Sequence, residues 1–591
     1  MEKKDKLVQN KPYLEKMIGY VFAGLLMAAY LYMIGHNHIL YFGSDQQFHY
    51  NRIYEYYENI SHLNFFPNIS TFSANEIGSN VITMYSPLPA YLGALIQFLF
   101  HGVFGIYVLI WLQFMVQFGI ARFVAKEFGL NLFEADVVGI VFVSTSALVS
   151  QTMLQWLFGE VWAMSFMPLV VMGLYRLTKI QSDKNVVFSI NKNWSQIWPL
   201  IVGFTLMLYS HLLSSTIVLL FTFVYSIFLL LLNKKRVQIF IDLVESGIIV
   251  LALSASFLLP FTLNTLKNSM STPGPYSSLS RWAAPEFSDL WNESFYFHTN
   301  TIGLLAIVSL VVGLVMFFKF NREMKILIFI SFLLVFSGTK YFWKNLYHSP
   351  FGIIQFPHRI FAIPIFILSM LLILEVRGLI TKKGIRIFVN TLLVFVSVFL
   401  LFINTRNSWL KPIRQNFIEL DYKPTQVKPV PMTNPVFYYV KSDSINNLTG
   451  YWSTYGAFDY LPKKALVDNE LLSHIAINNA ASIDTHYSSQ PDAIQYTGSF
   501  KKGHVKLPFI LYNNGKYIVK NSLGNQLTYS KGTDQRPVVK IDQDTNKLTI
   551  IRQRSFVDYL GLIISLLTIL LLVLLRTISR NVHFYQLLAG S

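Results

Sequence analysis

The stretch Gly43-Ser44-Asp45-Gln46-Gln47-Phe48-His49-Tyr50 places an acid and an imidazole four residues apart. At that spacing the two side chains share one face of a helical turn. The apolar run before it, residues 17–34, is long enough to cross a bilayer and delivers Asp45 and His49 to one membrane face. A carboxylate held there can act as a general base on a substrate hydroxyl. The competing reading is a solvated loop in which Ser44 or Asp45 caps a helix. Other ionisable groups fall at segment ends. Gly159-Glu160 opens an apolar segment, and Gln355-Phe356-Pro357-His358-Arg359 opens another. An Arg at the membrane surface offers a fork of donors suited to phosphate, although it also snorkels to headgroups. Glu160 would equally suit the N-terminus of its helix. His211, in Tyr209-Ser210-His211-Leu212, reads as a packing or capping residue that could also line a cavity. Residues 264–301 carry Arg281, Glu286, Asp289, Glu293 and His298, and solvated loops collect charges of this kind without using them.

These residues need membrane spans to position them, and the composition supplies them. The 591 residues are 53% hydrophobic, 16% aromatic and only 13% charged, with a mean hydropathy of +0.44. A soluble globular chain carries about twice that charged fraction. Apolar segments lie at 17–34, 85–101, 106–124, 136–152, 161–178, 196–212, 213–232, 244–263, 302–318, 325–338, 355–375, 386–404 and 559–576. The net charge of +17 sits mainly in short loops between these runs, so it reports topology and not nucleic-acid binding. The Lys-rich start and the loops holding Lys234-Lys235-Arg236, Lys319 with Arg322, and Lys382-Lys383 are expected inside. Thirteen full crossings conflict with that placement. Segment 85–101 begins Tyr85-Ser86-Pro87-Leu88-Pro89, and its two prolines weaken a helical start. It is expected to lie in the interface or re-enter, which leaves twelve crossings and both termini in the cytoplasm. No Cys is present, which removes disulfides, thiolate metal sites and Cys nucleophiles. The polar start and the length of the first apolar run do not read as a cleavable signal.

On that topology residues 36–84, the Trp156–Glu160 connection, 264–301 and 405–558 face outward. The expected organisation is a transmembrane core over 1–404 with a first outer loop at 36–84. A β-rich outer domain over 405–558 and a last span with its tail over 559–591 complete it. The strings His504–Leu507, Lys516–Val519, Val538–Ile541 and Lys547–Ile551 alternate apolar and polar residues in part. Asn513-Asn514-Gly515 and Asp544-Thr545-Asn546 read as turns. The fold class is therefore an all-α polytopic membrane protein of about twelve or thirteen segments with a β-rich domain before the last span. Internal repeats, a P-loop, a Rossmann glycine string and HExxH are not seen in the sequence.

Together these motifs resemble the GT-C superfamily of polytopic glycosyltransferases. They are similar in particular to bacterial YfhO-type proteins and relatives labelled "6-pyruvoyl-tetrahydropterin synthase-related", though no residue here points to pterin chemistry. The resemblance rests on Ser44–His49, Tyr85-Ser86-Pro87-Leu88-Pro89-Ala90-Tyr91, Phe158-Gly159-Glu160, Leu208–Leu212, Gln355–Arg359, Asp459-Tyr460-Leu461-Pro462 and Val505–Pro508. His358 departs from the aromatic residue, usually Trp, that precedes the Arg in the family. The resemblance implies transfer of a sugar from a polyprenyl-phosphate carrier, with inversion, to an acceptor outside the cytoplasm. It casts Asp45 as base and His49 as its helper. Arg359 and Arg281 would meet the departing phosphate, and Glu160, His211 and His358 would line the substrate site. No cofactor is required, and Mg²⁺ or Mn²⁺ held by Asp45 and Glu160 is compatible with the scheme. Implied partners are the lipid-linked sugar, a cell-envelope glycan or glycolipid acceptor such as teichoic acid, and the bilayer. A polyprenyl-phosphate glycosyltransferase and a flippase would supply the donor, and no nucleic acid is involved. A transporter or flippase for lipid-linked glycans, or a non-catalytic assembly factor, remains the alternative.

Overall fold

The computed structural model describes residues 2–42, 45–179, 190–271, 283–296, 298, 300–407, 417–419, 437–450, 460–465 and 467–589. Every apolar segment marked in the sequence falls on a helix. Among the described residues, seven helices are long and apolar enough to cross a membrane. They are Glu15–Gly35, Gly102–Glu127, Phe158–Thr178, Leu212–Leu232, Pro357–Leu379, Lys383–Thr405 and Phe556–Thr577. The chain is a multi-pass membrane protein. Two further segments, 136–152 and 244–263, form bent helix pairs and not straight helices. The first bends by 52° between Leu132–Val143 and Ser146–Met153, and the second by 76° between Arg236–Leu253 and Ala255–Lys267. Hydroxyl residues sit at both breaks. Thr145 Oγ1 donates to the Val141 carbonyl at 3.0 Å, a local bond that competes with the helical ladder and bends it. The remaining four segments form Leu88–Leu99, Ile190–Ser210, Leu304–Val315 and Arg322–Ser337. The Leu88–Leu99 helix has 12 residues. At 1.5 Å per residue it is about 18 Å long, short of the ~30 Å hydrocarbon core.

Burial orders the bundle. The helix Phe158–Thr178 is 94% buried over its apolar window, whereas Phe556–Thr577 is 11% buried there. The first is therefore the central helix and the last a peripheral one whose apolar surface suits lipid. At one end of the bundle, ion pairs tie the basic helix ends together. Arg176 grips Glu127 through Nε and Nη2, both at 2.8 Å, Lys179 meets Glu323, and Arg386 reaches Glu134 at 3.4 Å. Glu160 and Arg359 lie at the opposite ends of the same helices.

Beyond that end stand thirteen strands among the described residues. β1 (Ile39–Phe42), β2 (Phe417–Glu419) and β3 (Phe437–Lys441) form a small sheet in the order β1-β3-β2, with β1 antiparallel and β2 parallel to β3. The other ten are β4 (Ile475–Asn478), β5 (Ala481–Asp484), β6 (His486–Gln490), β7 (Ala493–Phe500), β8 (Gly503–Lys506), β9 (Lys516–Asn521), β10 (Gln526–Leu527), β11 (Tyr529–Lys531), β12 (Pro537–Ile541) and β13 (Thr545–Gln553). They make two antiparallel sheets, ordered β10-β9-β13-β7-β6 and β11-β12-β8-β4-β5. Ile494, Tyr496, Val519, Leu548 and Ile550 of the first share one core with Ala476, Val505, Val539 and Ile541 of the second, as packed sheets do. The turn expected at Asn513-Asn514-Gly515 is present, whereas Thr545 and Asn546 already belong to β13.

The β region is fastened to the loop that holds Asn68 and Asn80 by polar contacts. Arg552 Nη1 donates to the Asn68 carbonyl at 2.7 Å and to Asn80 Oδ1. Asp492 Oδ1 accepts from the Asn68 amide at 2.7 Å. The amphipathic helix Gln46–Ser61 holds the same loop from beneath. The buried Glu55 carboxylate accepts from the Thr71 and Phe72 amides, both at 2.9 Å, from Ser73 Oγ at 2.9 Å and from Asn59 Nδ2 at 2.8 Å. Burial nevertheless pushes this carboxyl up to about 7, against the pull of those donors. A group raised on folding contributes stability that is complete below its ordinary value of 4.5 and is lost as pH rises through about 7. The contribution is on the order of 3 kcal/mol. In Glu55→Gln, which does not titrate, the unfolding temperature in detergent should start lower. The wild-type minus variant difference should then shrink between pH 5 and 8. A difference independent of pH would refute the role of Glu55 titration.

Candidate active site

The helix Gln46–Ser61 begins at Asp45, whose carboxylate makes no capping bond to it. Asp45 is held by its backbone: its amide donates to the Gln155 carbonyl at 3.2 Å, and its carbonyl accepts from the His49 amide at 3.1 Å. The Trp156–Glu160 connection is therefore stitched directly to the Asp45 turn. His49, one turn on, is buried. Its Nδ1 lies 3.4 Å from Arg52 Nη1. A guanidinium only donates, so Nδ1 accepts and the neutral ring carries its proton on Nε2. Burial, with the Arg52 charge and then His211 adding to it, holds His49 well below its ordinary value. It is an uncharged imidazole at neutral pH.

Arg52 completes the face at positions i, i+4 and i+7 from Asp45. It is 1% exposed, donates through Nη2 to the Ser86 carbonyl, and lies with Cζ 4.2 Å from the centre of the Tyr85 ring. No carboxylate among the described residues pairs with it, and its Nε has no partner there. Sequence reading had passed over this residue, although the heptad spacing from Asp45 was visible.

Glu160 and Arg359 meet across 199 residues of chain, Arg359 Nε to Glu160 Oε2 at 3.0 Å. The side chains are 10% and 2% exposed for Arg359 and Glu160. Arg359 Nη1 also donates to the Ile354 carbonyl at 3.2 Å and Gln355 Oε1 at 3.5 Å. Its Nη2 has no partner among the described residues, and Glu160 Oε1 is buried without one. Each partner follows, four residues on, a residue in the left-handed region: Trp156 at φ 54° and Gln355 at φ 59°. Non-glycine residues pay for that conformation, and such strain gathers at functional sites.

Tyr85 joins the groups. Its ring centre is 5.2 Å from Phe48, 5.7 Å from His49, 5.7 Å from His211 and 6.1 Å from Tyr460. Tyr460 also stacks on Phe48 at 6.2 Å. The Tyr460-Leu461-Pro462 part of the quoted motif thus packs on the site through Tyr460, pinned by mutual amide–carbonyl bonds of 2.7 Å between Ser271 and the Tyr460-Leu461 pair. Gly159 leaves the space Tyr85 needs: a Cβ there would lie 3.1 Å from the phenol and 2.8 Å from the Ser210 carbonyl.

His49 and His211 thereby flank one ring whose phenol lies in the field of Asp45 and Arg359, and Glu160 joins them through Arg359. His211 also caps the helix Leu212–Leu232, its Nδ1 accepting from the Ser214 amide at 3.2 Å. His358 is turned elsewhere, its Nδ1 donating to the Ala283 carbonyl at 3.2 Å. Asp459 and Arg281 lie outside the described residues. Glu286 and Asp289 are the two halves of a capping box, and Glu293 pairs with His298 at 3.3 Å. Among the described residues no group of three His, Asp or Glu is placed to hold an ion. Beside Ser86-Pro87 an apolar cleft of about 280 Å³ opens, lined by Tyr56, Pro87, Tyr91, Tyr209 and Phe257, with Arg554 at its edge.

The fold and site define a multi-pass membrane protein with a cluster of two acids, two guanidiniums, two imidazoles and a phenol at one end of its helices. No protein-family model matches the chain, and no curated protein sequence matches it. Among solved structures it is similar to the oligosaccharyltransferase of Archaeoglobus fulgidus in its apo form, at 11% identity and a TM-score of 0.42, over 66% of this chain and 55% of that one. It is also similar to ArnT from Cupriavidus metallidurans bound to undecaprenyl phosphate, at 10% identity and a TM-score of 0.29, over 61% of this chain and 78% of that one. The chain thus spans little more than half of the archaeal enzyme. Likenesses this loose decide neither activity nor site, and the architecture rests on the helices and strands themselves.

Proposed function

We propose that this chain is a GT-C-type membrane glycosyltransferase. It moves a sugar from a polyprenyl-phosphate carrier to an extracytoplasmic acceptor, a teichoic acid, another wall polymer or a glycolipid. The observation that carries the reading is the meeting of Asp45, Arg52, Tyr85 and the Glu160–Arg359 pair under Tyr460. The surroundings of that cluster are membrane helices and an apolar cleft. A base, cationic donors and an apolar groove are what a lipid-phosphate donor and a hydroxyl acceptor require.

Asp45 takes the proton of the acceptor hydroxyl. The freed oxygen attacks the anomeric carbon as the bond from that carbon to the phosphate oxygen breaks. The electron pair leaves with the polyprenyl phosphate, and the configuration inverts. Arg359, through its remaining Nη2, meets the growing phosphate charge. Glu160 Oε1 accepts from a sugar hydroxyl. His49, uncharged, keeps its Nε2 proton for a hydrogen bond to ligand or carboxylate. The site faces outward in a bacterial cell membrane, with both termini in the cytoplasm.

The test is transfer by purified protein in nanodiscs, with labelled polyprenyl-phosphate sugars and wall-polymer or glycolipid acceptors. Labelled product that depends on both substrates supports the enzyme. Movement of the labelled lipid across liposomes with no transfer for any pair would replace it by the flippase reading.

A further inference from the structure

Tyr85 ends at a hydroxyl with no hydrogen-bond partner among the described residues, and its part-buried ring is flanked by Phe48, His49, His211 and Tyr460. That hydroxyl lies in the combined field of Asp45, Arg52 and Arg359. Two features around it favour an anion. Arg52 is a guanidinium sealed behind the ring, 4.2 Å from its centre and 1% exposed, and no carboxylate among the described residues neutralises it. A buried charge without its opposite is costly unless something completes it. The second feature is the start of the central helix Phe158–Thr178, which no side chain caps and which Tyr85 touches at Gly159. Its first turn presents the positive end of the helix dipole. Burial drives the phenol above its ordinary value, so the hydroxyl keeps its proton and can donate it to a hydrogen bond.

We propose that the Tyr85 hydroxyl is a phosphate-binding group, donating to a non-bridging oxygen of the carrier phosphate, with Arg52 as the positioning residue behind it. Arg52 does not reach the ligand. It holds the ring by its face, fixes the Ser86 backbone through Nη2, and leaves net positive charge behind the phenol. This rests on the reading of the ligand as a polyprenyl phosphate, but it concerns binding alone. The Tyr85-Ser86-Pro87 turn then joins the two parts of that ligand. Tyr85 faces the phosphate side, and Pro87 lines the apolar cleft that would take the isoprenoid chain.

Binding of farnesyl phosphate, farnesol and inorganic phosphate to the full chain in nanodiscs tests it, using wild type, Tyr85→Phe and Arg52→Gln. Tyr85→Phe keeps the ring and its packing. It should lose about tenfold in affinity for farnesyl phosphate and none for farnesol. Arg52→Gln should lower the same phosphate-to-alcohol ratio. Competition by inorganic phosphate that weakens equally in Tyr85→Phe would assign the contact to the phosphate itself and not to the lipid. An unchanged ratio in Tyr85→Phe overturns the proposal, as does a wild type that binds the phosphate and the alcohol alike. If the ratio falls in Tyr85→Phe while wild type transfers no sugar, the phosphate site stands and the transferase reading fails.

Discussion

Asp45→Asn should lower kcat for sugar transfer about a thousandfold, within the range a positioned general base contributes. The substitution is nearly isosteric and leaves the local structure its anchors. The Asp45 amide still donates to Gln155 and the Asp45 carbonyl still accepts from His49, because both bonds are made by the backbone. The carboxylate makes no capping bond to the helix it precedes, so little capping energy is at stake. The unfolding temperature and membrane insertion should therefore stay close to wild type while the rate collapses. Donor binding should also survive, because the proposed mechanism assigns the phosphate to Tyr85 and Arg359 and only the acceptor hydroxyl to Asp45. The measurement is a steady-state comparison at saturating donor and acceptor. A variant that transfers at the wild-type rate would take Asp45 out of the mechanism, leaving no other carboxylate on the Gln46–Ser61 helix face toward Tyr85.

The sequence made the spans legible because length and hydropathy are local properties. Each apolar run became a helix, and the alternating strings at 504–507, 516–519, 538–541 and 547–551 fell on β8, β9, β12 and β13, all but Leu507 within the strand bounds. The breaks at Ser144-Thr145 and Ser254 were hidden, because a hydroxyl residue hardly lowers the hydropathy of a 17-residue run. At the first break Thr145 donates to the Val141 carbonyl, a bond that hydropathy does not record. At the site, Asp45, His49, Glu160, His211 and Arg359 were visible as ionisable residues at segment ends. Their meeting was not, because Glu160 and Arg359 are joined only by the packing of the central helix against Pro357–Leu379. Arg52 was hidden for another reason. It stands among Asn51, Tyr54 and Glu55 on a polar helix, where a solvated face is the ordinary outcome, and only burial marks it out. His358 shows the converse. Adjacent to Arg359 in sequence, it turns to the Ala283 carbonyl instead, because successive residues of a tight helical turn point to different sides.

Breaking the Glu160–Arg359 pair should cost stability as well as rate, and the two losses can be separated. Arg359→Ala strands the Glu160 carboxylate, already lacking a partner for Oε1, in a place where its side chain is 2% exposed. An uncompensated buried charge of this kind costs about 3–5 kcal/mol. Glu160→Gln should cost less, since Arg359 keeps the Ile354 carbonyl and Gln355 Oε1. The double variant Glu160→Gln/Arg359→Ala removes both charges. It should recover much of the stability lost in Arg359→Ala, giving a coupling of roughly 2 kcal/mol in a double-mutant cycle. Unfolding midpoints in an SDS titration of the reconstituted protein supply the four values. Transfer should follow a different pattern. The double variant regains its fold without regaining Nη2, the donor facing the phosphate, so its rate should remain as low as that of Arg359→Ala. If rate and stability recover together, the pair is a structural clamp and Arg359 does not touch the phosphate. If stability returns alone, the guanidinium holds Glu160 with one edge and the leaving group with the other, and the two positive-φ residues ahead of the pair fix both edges in place.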